Sequence, residues 1–118
     1  MEREIYKIEV AATEIITELG IPAKIKGYRY IREAVILKVC DRMLPMHAVY
    51  EHIAGKFGVS EKSVLQAVRN AIKSAWGRGN PEVRKKLFGY DISNMLGCPS
   101  NAEFIAQIAD TIRLAIEP

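Results

Sequence analysis

Residues 50–76 read YEHIAGKFGVSEKSVLQAVRNAIKSAW. The spacing of their apolar positions predicts a helix, a tight turn and a second helix. Ile53 and Ala54 face inward from the first of these, with the small Ala54 where two helices must approach closely. Gly58 falls just past its end, where the chain needs a positive φ and a Cβ is costly. Val59 closes the turn from inside. Ser60 suits the N-cap of the second helix, because its hydroxyl accepts from an unpaired backbone N–H. Val64, Ala67, Val68, Ala71, Ile72 and Ala75 then recur at helical spacing and give that helix one apolar face.

Its other face carries Lys62, Ser63, Gln66, Arg69, Asn70 and Lys73, with Ser60 and Arg78 beyond the two ends. Cations and hydrogen-bonding side chains on one outward stripe are what a recognition helix presents to base edges and phosphates in the major groove. The plainer reading is a pair of antiparallel core helices with a solvated polar face. The small residue, the turn glycine and the inward valines coincide at the spacing of a helix-turn-helix, which favours the DNA reading, with residues 60–76 as the recognition helix.

Working outward, the chain has 118 residues, enough for one domain spanning 1–118, and half of them are apolar. A net charge of +3 is compatible with nucleic-acid binding without demanding it. Cys40 and Cys98 lack metal or redox spacing and read as reduced thiols of a cytoplasmic protein. No apolar run is long enough for a membrane span, and the charged start MEREIY is unlike a signal peptide. His47 and His52 fall on different faces of one helix, so no shared metal is expected. No paired nucleophile and base and no phosphate-cradling glycine loop stand out, so neither an enzyme nor a cofactor is expected.

Upstream, Ile8, Ala12, Ile15, Ile16 and Leu19 predict a helix over 5–19 that Gly20 ends. Lys24, Lys26, Arg29 and Arg32 follow closely, as a solvated surface or as phosphate contacts. A second helix over about 28–43 buries Ile31, Ala34, Val35 and Val39, and Tyr28 and Tyr30 are expected to pack. Downstream, Asn80 and Pro81 start a short helix that stops at Gly89 and carries the basic run Arg84, Lys85 and Lys86. Residues 90–98 show no period and read as loop. Ser100 and Glu103 form a capping box ahead of a last helix, whose acidic surface is expected to lie away from DNA. No stretch alternates with period two, so the fold class is all-α, six helices containing the helix-turn-helix.

Several further stretches add a resemblance. They are TEII from Thr13, GIPAKIKGYRYIREA over 20–34, IAGKF over 53–57, AVRNAIKSAWGRGN over 67–80, LFGY over 87–90 and SNAEFIA over 100–106. Together they resemble the C-terminal effector domain of the stage-zero sporulation protein A family, over about 13–114. The resemblance implies a six-helix DNA-binding transcription regulator of response-regulator type that occupies tandem DNA boxes. It implies contact with the RNA polymerase sigma subunit just after the recognition helix, here at Gly79, Phe88, Gly89 and Ile92. It also implies base reading by arginines on the first turns of the recognition helix. Ser63 and Gln66 stand at those positions and Leu65 replaces a glutamate, while Arg69 matches. Arginine is the usual partner of guanine and glutamine of adenine. No receiver domain is visible in the 118 residues. The leading expectation is a sequence-specific DNA-binding regulator. The alternative is an interaction module that binds polymerase or a full-length regulator without reading DNA.

Overall fold

The structure is a computed structural model that describes residues 2–95 and 97–116 and, over 90–95, the backbone alone. Among these residues it is wholly helical: α1 Glu2–Glu18, α2 Lys26–Cys40, α3 Met46–Phe57, α4 Glu61–Arg78, α5 Pro81–Met95 and α6 Asn101–Ile116. No described helix is long and apolar enough to cross a membrane.

Helix α2 is the hub, packing against α1, α3, α4 and α6. Its sequence allows this because Gly27, Tyr28, Tyr30, Ile31, Ala34 and Val35 are all buried, which spreads its contact around more than one face. The two tyrosines do pack, as expected. Helix α1 lies antiparallel to α2: the Tyr28 and Thr17 hydroxyls are 3.3 Å apart, and Arg32 donates to Thr13 Oγ1 at 3.4 Å. Ile8, Ala12 and Ile16, spaced by four, supply the buried stripe of α1. Helix α2 ends earlier than its apolar pattern suggests, because Asp41 turns extended. Lys38 Nζ then donates to the carbonyls of Arg42 and Leu44, each at 2.8 Å, and closes the corner into α3.

Gly20, at φ +95°, ends α1, and a Cβ on it would come within 2.7 Å of Gly79 Cα. A Cβ on Gly79 would overlap the Leu19 carbonyl oxygen. The end of α1 and the end of α4 thus touch backbone to backbone, and two glycines permit it.

Of residues 90–98, expected to be loop, 90–95 are corrected, while 97 and 98 are bends outside any helix. Helical backbone resumes after Gly89 and continues to Met95, with a kink at Gly89, whose φ of 80° and ψ of 179° are not helical. The stop at Gly89 is present, but a second helical stretch follows it. Its apolar residues lack the period that would have revealed it. Near the kink, Trp76, Phe88 and Phe104 join α4, α5 and α6, with ring centroids 5.1, 5.4 and 6.1 Å apart. Each such pair is worth about 0.5–1.5 kcal/mol beyond its buried area.

Candidate nucleic-acid interface

The turn between α3 and α4 is set by three residues. Gly58 sits at φ 67° and ψ 38°, the left-handed conformation, and its N–H reaches back to the Ala54 carbonyl. Val59 N–H donates to the same carbonyl at 3.0 Å. Ser60 then caps α4: its hydroxyl accepts from Ser63 N–H at 3.1 Å and donates to Ser63 Oγ at 2.9 Å. Ser60 therefore has its hydroxyl committed to the cap, while Ser63 keeps its own hydroxyl hydrogen for an outside acceptor.

Helix α4 is held on both flanks. On one, the start of α2 presses in at Gly27, where an added Cβ would meet the Ala67 carbonyl oxygen at 2.5 Å and Ala71 Cβ at 2.7 Å. That approach places Lys24 and Lys26 with Ala67, Asn70 and Ser74 around an open groove of about 520 Å³. The exposed Lys24 and Lys26 thus form a basic shoulder beside α4, while the exposed Arg29 lines a groove with Phe57 and Val59 at the end of α3. Sequence alone left Lys24 and Lys26 between surface and phosphate contact, because only the Gly27 crossing reveals that they border α4.

On the other flank stands the segment leading into α6. Arg69 Nη1 donates to the Pro99 carbonyl at 2.7 Å and to Asn101 Oδ1 at 3.4 Å, and Nη2 donates to Cys98 Sγ at 2.6 Å. Asn101 returns a bond from Nδ2 to the Leu65 carbonyl at 3.1 Å. One expectation changes here. Arg69 does not stand free on the outward stripe, because its half-buried guanidinium fastens α4 to this segment. The start of α6 borders α4 through Asn101. Glu103 closes the α6 cap by accepting from Ser100 N–H at 3.1 Å, which holds its carboxyl below the usual glutamate value.

Between the flanks, Lys62, Ser63, Gln66, Asn70 and Lys73 are all exposed on one face. Gln66 Nε2 donates to Asn70 Oδ1 at 3.0 Å, so the two amides form a clasp in the middle of the stripe. Leu65, 39 % exposed, lies at the edge toward α6. Arg78 is exposed at the far end and donates to Ser74 Oγ at 2.8 Å.

Beyond α4, the residues marked by resemblance for polymerase contact have internal work. Phe88 is buried and stacks on Phe104 at an interplanar angle of 13°. Gly79 is wedged against Leu19 and Gly89 makes the kink, while the Ile92 side chain lies outside the described residues. Arg84, in the basic run, turns inward: Nη1 donates to the Trp76 carbonyl at 2.9 Å and the guanidinium lies 5.7 Å over the Trp76 ring. It closes the carbonyl end of α4, where a cation is favoured.

Compared with known families, residues 12–112 match the one described as sporulation initiation factor Spo0A C terminal.

Proposed function

Because the chain belongs to this family of DNA-binding transcription regulators of sporulation, we propose that it reads specific duplex DNA with α4 in the major groove. The observation that carries the reading is the polar stripe of α4, held between two flanks and bordered by a basic shoulder. Ser63 and Gln66 would meet base edges, with Asn70 beside them holding the Gln66 amide. Lys62, Lys73, Arg78, Lys24 and Lys26 would meet phosphates, which set register while base contacts set sequence.

The test is a gel shift against a pool of random duplexes, followed by repeated selection of bound sequences. A shifted band that enriches a shared sequence supports the reading. Stepwise bands on a repeated site would add tandem occupation. No shift at low salt would overturn it and leave a protein-docking role, in which the exposed Leu65 would be an anchor.

A further inference from the structure

The stripe contains a pre-set hydrogen-bonding pair whose chemistry is more specific than polarity. We propose that Gln66, oriented by Asn70, is the base-choosing residue of α4, and that the base it chooses is adenine. The proposal rests on the reading of α4 as a groove-binding helix and adds the identity of what it reads.

In the major groove adenine offers a donor, N6–H, beside an acceptor, N7. Guanine offers two acceptors, N7 and O6. A surface that selects guanine needs two donors side by side, which a guanidinium supplies. Arg69, the arginine in the middle of α4, has its Nη1 and Nη2 donating to Pro99, Asn101 and Cys98. Turning it to a base would break all of these bonds. Gln66 is left in the centre of the stripe, with Lys62 one turn before it and Lys73 two turns after.

An amide nitrogen carries two hydrogens. Gln66 Nε2 uses one on Asn70 Oδ1. The second hydrogen and Oε1 remain, a donor and an acceptor on one rigid plane. That pair complements adenine: N6–H donates to Oε1 while Nε2–H donates to N7. Facing guanine, Oε1 would meet O6, and two acceptors repel. A free glutamine escapes by rotating its amide until Nε2–H alone faces the base edge, since a simple flip only moves Oε1 from O6 to N7. Here that rotation would break the bond from Nε2 to Asn70 Oδ1. Asn70 is thus a positioning residue. Leu65, exposed at the edge, supplies an apolar surface suited to a thymine methyl beside the adenine.

The experiment is selection of bound duplexes with the intact chain and four variants, each followed by affinity measurement on the winning site and on its adenine-to-guanine counterpart. The wild type should select an adenine and bind the guanine duplex about tenfold to a hundredfold more weakly. Replacing that adenine by 7-deazaadenine, which lacks the N7 acceptor, should weaken binding by a similar factor. Gln66→Ala should erase the preference at that position, and Gln66→Arg should move it to guanine. Asn70→Ala should shrink the adenine-to-guanine ratio. Asn70→Asp keeps the acceptor oxygen and should keep the ratio, even though its charge weakens affinity for both duplexes. A merely structural role for Asn70 would not separate ratio from affinity in this way. A selected site whose base preferences are the same in wild type and Gln66→Ala overturns the proposal while DNA reading stands. Failure of the wild type to bind any duplex overturns both.

Discussion

At Gly58 the left-handed backbone can be tested without steric complication, because an added Cβ would meet nothing within 4 Å. Any cost of substitution there is conformational. Gly58→Val should destabilise the fold by about 1–2 kcal/mol or more, and Gly58→Asn by much less, since asparagine tolerates that region. Thermal melting of the two variants checks the difference. Equal small shifts would mean that the turn is built differently. Arg69→Ala should act on the fold as well as on any DNA contact. It removes bonds to Pro99, Asn101 and Cys98 and leaves half-buried acceptors, for a loss of about 1–3 kcal/mol, read as a lower denaturant midpoint. Lysine at 69 keeps the charge but not the fork, so Arg69→Lys should recover only part of it. The contrast shows what a sequence makes legible at this scale. Gly58, Ser60, Asn80 and the Ser100 with Glu103 pair act on backbone within four residues, and each does as its local chemistry dictates. Arg69 bonds to a carbonyl 30 residues away, and spacing alone placed it on the stripe with its neighbours.

Among elements, the contact that matters most for the site is the crossing of α2 and α4 at Gly27. Gly27→Ala drives a methyl into the Ala67 carbonyl, which cannot yield without moving α4. The variant should lose about 1–3 kcal/mol of stability. It should also weaken DNA binding beyond that loss, because Lys24 and Lys26 ride on the displaced segment. Melting and gel-shift titration on the same preparation separate the two effects. The start of α6 offers a pH test. The Glu103 carboxyl is held below its usual value by the Ser100 N–H and hydroxyl. A carboxyl lowered in the folded state stabilises the fold above its unfolded value. That contribution disappears as pH falls from about 4.3 through the lower folded value. Glu103→Gln should therefore show a shallower loss of melting temperature than wild type over that acid range. The helices themselves were readable wherever apolar residues kept a 3.6-residue period, as in α1, α4 and α6. The second half of α5 was not, since its helical turns follow a glycine kink and carry no such period.

For the molecule as a whole, net charge says less than placement. The chain carries only +3, yet exposed Lys24, Lys26, Lys62, Lys73 and Arg78 lie on or beside the α4 stripe. Five phosphate contacts would give a log–log salt slope near roughly −4 to −5. Lys24→Ala with Lys26→Ala should reduce its magnitude by about 2 while leaving the selected sequence unchanged. A fluorescence titration over a range of salt reads this directly, and a slope near zero would count against groove binding. Arg84 is left out of this estimate because it is engaged inside, over Trp76 and on the end of α4. The two-sided grip on α4 has a practical consequence for engineering. The inward residues and both flanks hold the helix without help from positions 62, 63, 66, 70 and 73. A library randomised at those five exposed sites, omitting proline and glycine, should consist almost entirely of folded members, each within about 0.5 kcal/mol of wild type per substitution. The helix would then serve as an interchangeable cartridge, whose target is rewritten without redesigning the scaffold that carries it.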